Sequence, residues 1–114
     1  MSTITTRYAG LNFSNLQLLQ VDHSASLANN GTITATVPES IREGGGCPMV
    51  LSAVSYNSAD GPGARTATRK VVNLTTYVES TGVLTLQNTN GDAVTNLRVI
   101  IGFLSPAPAV AALS

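Results

Sequence analysis

Residues 69–104 read RKVVNLTTYVESTGVLTLQNTNGDAVTNLRVIIGFL, and this run decides the fold class. Val and Thr dominate it, types that lose rotamer freedom in a helix and suit a pleated surface. Its spacing predicts strands over Arg69 to Val78, Gly82 to Gln87 and Leu97 to Leu104. In the first, Val72, Leu74 and Val78 alternate with Val71, Asn73, Thr75 and Tyr77. In the second, Leu84 and Leu86 oppose Val83, Thr85 and Gln87, while the third is apolar on both faces. Glu79-Ser80-Thr81-Gly82 makes a short hairpin link, and Asn90-Gly91-Asp92 supplies turn residues inside a longer loop. Strands joined by short links run antiparallel, so a three-stranded meander is expected here.

The same punctuation continues upstream. Strands are expected at Thr3 to Tyr8, Leu16 to Asp22, Thr32 to Val37 and Met49 to Tyr56. In the Thr32 strand, Ile33, Ala35 and Val37 share one face and three Thr the other. In the Met49 strand, Val50, Ser52, Val54 and Tyr56 lie opposite Met49, Leu51, Ala53 and Ser55, which reads as a central strand covered on both faces. Asn29-Asn30-Gly31 tolerates the positive φ of a turn. Ser40 to Glu43 suits one helical turn capped by Ser40. Six to eight strands in 114 residues point to one antiparallel β-sandwich or barrel, jelly-roll-like, spanning 10–104. Residues 1–9 form an N-terminal arm or edge strand, and 105–114 an extended Pro/Ala tail.

Composition narrows the function. Charged residues make up 11% of the chain at zero net charge, against roughly 25% in typical soluble domains. Fourteen Thr, eleven Ser and nine Asn supply the polarity instead. So few cations argue against nucleic acid as the main partner. The longest apolar stretch near an end, Val99 to Leu104, falls far short of the roughly 20 residues that span a bilayer, so no membrane partner is expected. The opening MSTITTRYAG has neither the basic nor the apolar region of a secretory signal, and synthesis in a reducing cytosol is the expectation.

No catalytic, cofactor or metal constellation emerges. Asp22-His23-Ser24 are neighbours on a strand and point to alternate faces, so they make no triad; His23 reads as a surface residue at a strand end. His23 and Cys47 cannot close a tetrahedral zinc site within one chain. Cys47 reads as a small buried hydrophobe. Glu39, Glu43, Glu79 and Asp92 read as solvated loop acids, and Gly44-Gly45-Gly46 as a flexible connector lacking the Lys of a phosphate loop. Arg65, Arg69 and Lys70 form the one basic cluster, suited to an acidic partner surface.

The run Val71 to Leu104, with its flanks Met1 to Tyr8 and Ser105 to Ser114, resembles small structural proteins of tailed-phage virions, in particular capsid decoration (cement) proteins and head-fibre bases. The resemblance extends over most of the chain. It implies a non-enzymatic structural module of the virion, made in the host cytoplasm, that oligomerises, often as a trimer. It also implies a clamp on neighbouring major capsid subunits against the pressure of packaged DNA. On that reading the partner contacts are Thr5, Arg7 and Tyr8 in the arm, Arg65 and Arg69 in and beside a long small-residue loop expected at Asn57 to Thr68, and Pro106, Pro108, Val110 and Leu113 in the tail. Strands apolar on both faces fit burial between copies. The alternative is a carbohydrate- or receptor-binding β-sandwich, for which Tyr8, Tyr56 and Tyr77 are few aromatics. A small enzyme would need a site assembled across subunits.

Overall fold

A computed structural model describes residues 2–8, 16–43, 45–56 and 67–104 of the chain. Its strands are β1 (Ser2–Tyr8), β2 (Leu16–His23), β3 (Thr32–Thr36), β4 (Cys47–Tyr56), β5 (Ala67–Arg69), β6 (Val72–Val78), β7 (Val83–Asn88) and β8 (Leu97–Leu104), with one helical turn, α1 (Glu39–Arg42). They form two antiparallel sheets, ordered β1-β2-β8-β4-β5 and β3-β7-β6. The fold is all-β and sandwich-like. The two sheets do not close into the barrel that the sequence also allowed.

The core lies between the sheets. Alternation sends Leu97, Val99, Ile101 and Phe103 of β8 inward, beside Leu19 and Val21 of β2. Leu84 and Leu86 of β7 face them with Ile33 and Ala35 of β3, joined by Val37 and by Ile41 of α1. The three Thr of β3 are exposed, as its alternation predicts. Tyr77 meets Phe103 edge-on across the core, with ring centroids 5.7 Å apart.

The expected long strand over Arg69 to Val78 is instead two strands in different sheets. β5 ends at Arg69, the Lys70 N–H donates to Ala53 O at 2.9 Å, and the chain crosses to start β6 at Val72. The expected meander is therefore a β6–β7 hairpin, and β7 connects to β8 across the sandwich.

Two bulges displace the expected faces. In β4, Val50 pairs with Ile101 and Ser52 with Ile100, leaving Leu51 as the extra residue. Val50, Ala53 and Ser55 thus oppose the inward residues of β8, while Met49, Ser52 and Val54 oppose the outward ones. In β6, Thr75 is the extra residue and brings Tyr77, with Val72 and Leu74, onto the inner face. A strict alternation cannot register such an insertion.

Glycine and asparagine place the turns. Gly82 closes the Glu79–Gly82 link at φ 75°, and Asn30 turns at φ 68°. The helical turn starts one residue earlier than expected: Pro38 precedes it, Ser40 lies inside it, and no side chain caps it. Residues 2–8, expected as an arm or an edge strand, pair with β2 of the same chain as an edge strand, from Ser2 opposite His23 to Tyr8 opposite Gln17.

Candidate interaction surfaces

The outer face of the five-stranded sheet is apolar at one end and charged at the other. Register places Leu16 and Leu18 of β2, Ile100, Gly102 and Leu104 of β8, and Met49 of β4 together on it. Leu51 joins them at the bulge, its Cδ1 2.9 Å from where a Cβ on Gly102 would stand. Leu16 reaches the same spot from the other side, at 3.6 Å. Gly102 is thus the floor of a shallow saddle, and a side chain there would displace Leu51. The expectation of a β4 covered on both faces fails within one chain: Met49 is 41% exposed, Leu51 51% and Leu104 46%. Covering what remains of these three would contribute about 1 kcal/mol apiece.

At the opposite end of this face, Arg98 pairs with Asp22 across β8 and β2. Its Nε donates to Asp22 Oδ1 at 2.9 Å and its Nη2 to Oδ2 at 3.1 Å. The guanidinium also stands 4.6 Å from the centre of the Tyr56 ring. The hydrogen bond to Asp22 raises the Arg98 pKa further. Gln20 completes the group, donating to Asp22 Oδ2 at 3.2 Å. Sequence reasoning missed this cluster. Its only signal was a lone cation and a lone acid, Arg98 and Asp22, each ending an apolar alternation in strands that prove adjacent.

A groove of about 560 Å³ opens beside β4. Val50, Leu51 and Val54 line one side and Val71 and Val72 the other, with Arg69 and Lys70 on its wall. Arg69 is exposed and stands opposite Val54. Of the expected contact residues, Thr5 and Arg7 take register positions opposite Gln20 and Leu18, and Tyr8 opposite Gln17. Arg65, Pro106, Pro108, Val110 and Leu113 lie outside the described residues. The expected basic cluster is therefore described only as Arg69 and Lys70.

Cys47, expected to be buried, is exposed at the start of β4, because its alternation position opposite Leu104 faces outward. His23 is half-buried at the end of β2, and burial lowers its pKa. Among the described residues, no three His, Cys, Asp or Glu side chains gather as metal ligands, and no helix is long and apolar enough to cross a membrane.

A second feature that the sequence reading missed is Asn88, fully buried at the end of β7. Its amide donates to Leu27 O and Asp92 O, both at 2.9 Å, with Ala28 O at 3.3 Å, and its Oδ1 accepts from the Asn90 N–H at 2.9 Å. It ties together the loops at one end of the sandwich. The signal was its place after Leu84 and Leu86 on the inward alternation.

No protein-family model, curated protein or solved structure matches the chain. The surfaces themselves carry the functional reading.

Proposed function

We propose that the chain is a structural virion protein, an oligomeric decoration or cement module that binds and stabilises a capsid lattice without catalysis. The observation that carries this reading is the uncovered apolar end of the outer sheet face, around Leu16, Leu51, Met49 and Leu104. A chain of zero net charge and few charged residues has little repulsion to keep such faces apart. A trimer is the favoured assembly, and the major capsid protein or neighbouring virion subunits are the external partners. The strand order β2-β8-β4-β5 against β3-β7-β6 supports a jelly-roll-like reading of the sandwich.

Two of the described cations are engaged within the chain, and Arg69 and Lys70 on the groove wall are too few for a phosphate backbone. Arg98 is engaged by Asp22, and Arg42 lies against Gly82 with its Nη1 donating to Ser80 O at 3.4 Å. The alternative, a carbohydrate- or receptor-binding module, needs free ring faces. One face of Tyr56 is taken by Arg98, and Tyr77 packs on Phe103.

Two measurements test the proposal. Sedimentation equilibrium of the full chain should give a defined oligomer, a trimer in the favoured case. Antibody raised against the chain should label the heads of particles purified from the source culture. A monomer at about 100 μM, or unlabelled particles, would reject it.

A further inference from the structure

We propose that the groove beside β4 is a strand-acceptor site, and that its occupant is residues 109–113 of a second copy of this chain. The inference rests on the homo-oligomer part of the reading above and names the contact that builds it.

Among the described residues, the acceptor is an unpaired sheet edge. β4 pairs with β8 along Cys47 to Ser55, but β5 covers its other edge only at Val54–Tyr56. Beyond that point the chain leaves for the other sheet through Lys70 and Val71. Among the described residues no strand pairs with the outer edge of Cys47 to Ser52, and the groove, lined on β4 by Val50 to Val54, meets that edge at Val50 to Ser52. An exposed edge offers unpaired N–H and C=O groups and is a template for another strand; on this edge Pro48 gives only its C=O, so the ladder centres on Met49 to Ser52. Added strands gain affinity from the backbone ladder and specificity from side chains that alternate into flanking pockets. Here those flanks are apolar on both sides: Val50 and Val72 belong to the inner side, Leu51 and Met49 to the outer.

The donor fits in length and chemistry. Ala109-Val110-Ala111-Ala112-Leu113 has no proline and no charge, so it can form a ladder. Five extended residues span about 17 Å, close to the roughly 20 Å of the six-residue edge. Alternation puts Val110 on one side and Leu113 on the other, matching the two apolar flanks.

The source is a neighbour because of what precedes the donor. β8 ends at Leu104 opposite Cys47. To reach its own β4 edge, the chain would have to reverse at once and cross over β4. Proline holds φ near about −65° and disfavours the helical region for the residue before it, so the sequence Ser105-Pro106-Ala107-Pro108 is biased toward an extended path. Four successive residues that favour extension make a spacer of about 12 Å. A spacer so biased favours presenting the donor to a neighbour over returning it to its own β4. The contact is head-to-tail, each copy giving a strand and receiving one, which closes a ring at a suitable rotation.

The test uses the full-length chain and two variants. V110D/L113D spoils the donor, and Leu51→Lys spoils the acceptor at an exposed position. Both should keep the far-UV circular dichroism and unfolding midpoint of the monomeric unit. Each should weaken self-association by at least roughly tenfold per substituted side chain. The amides of Met49 to Ser52 should exchange with deuterium more slowly in the wild-type oligomer than in V110D/L113D. Mixed together, the two variants should form a 1:1 complex by sedimentation velocity, because one intact donor still meets one intact acceptor. If V110D/L113D associates as tightly as wild type, or mixing yields no complex, the strand exchange is refuted while an oligomeric wild type leaves the assembly reading standing. A monomeric wild type refutes both, and slow exchange at Met49 to Ser52 in that monomer would mark a donor bound within its own chain.

Discussion

Asn88→Ala should destabilise the fold by about 2–3 kcal/mol. The side chain is fully buried and makes two donor bonds at 2.9 Å, a longer one at 3.3 Å, and one acceptor bond at 2.9 Å. Not all of these partners are left bare by its loss. Leu27 O still accepts from the Val94 N–H at 2.9 Å, and Ala28 O from the Gly31 N–H at 2.8 Å. Asp92 O and the Asn90 N–H lose this partner, and each lies near enough to the surface for partial rehydration. Two net hydrogen bonds at about 1 kcal/mol each, plus a small void, give the stated range. For a domain this size the melting temperature should fall by about 8–20 °C. Asn88→Asp is nearly isosteric and sharper. A carboxylate cannot donate, and it would face three carbonyl oxygens, so the loss at pH 7 should exceed that of the Ala variant. The protein would favour the protonated acid there, raising its folded-state pKa. The deficit should therefore shrink as pH falls from 7 toward 5 and the carboxyl takes up its proton. Urea unfolding at several pH values measures all of this, with unchanged m-values expected. An Ala cost below about 0.5 kcal/mol, or a pH-independent Asp deficit relative to wild type, would refute the hub.

Three further outcomes are expected. Gly82→Ala should cost about 1–3 kcal/mol in urea unfolding, because φ is +75° and the new Cβ would lie 2.8 Å from Arg42 Cδ and 3.0 Å from Val37 O. Gly91→Ala, at φ +99° with open space around it, should show the backbone strain without the clash. Tyr77→Phe should leave stability unchanged or raise it by up to about 1 kcal/mol, since the Tyr77 hydroxyl is buried with no hydrogen-bond partner among the described residues and burial raises its pKa; a clear loss in thermal melts would show that the hydroxyl is satisfied. His23 has a lowered pKa through burial, so the unfolded chain binds its proton more readily. Its contribution is present above the unfolded pKa of about 6.5 and is lost as pH falls through the folded value. His23→Gln should flatten that part of the stability–pH profile, and an unaltered slope would contradict it.

The sequence made the inward sets of β3 and β7 legible because each is an unbroken alternation, Ile33 with Ala35 and Leu84 with Leu86, whereas β8 is apolar on both faces and its sequence did not mark Leu97, Val99, Ile101 and Phe103 as the inward set. The break at Lys70 was not legible. Val71 and Val72 continue the β-branched pattern through the corner, and nothing local marks the change of sheet. The site was half legible. Excess apolar surface on β4 and β8 could be read from composition, but Asp22 and Arg98 are 76 residues apart. Only strand order makes them neighbours.

The insertion at Leu51 links these two shortfalls. Before it, Val50 faces the core; after it, Ala53 does, so Leu51 and Ser52 both stand away from the core. A regular strand would have turned Ser52, Val54 and Tyr56 inward, placing a hydroxyl and a phenol in the core. With the extra residue, the small Ala53 packs inside and Tyr56 reaches Arg98 on the outer face. Leu51 also covers Gly102 and lines the groove between β4 and the Arg69 to Val72 corner. One bulge thus fills the core, completes the charged end of the outer face and sets an exposed leucine beside the only stretch of β4 that no described strand pairs with. Bulges often blunt an edge by twisting it away. Here the extra side chain, half exposed, instead adds apolar surface beside the edge.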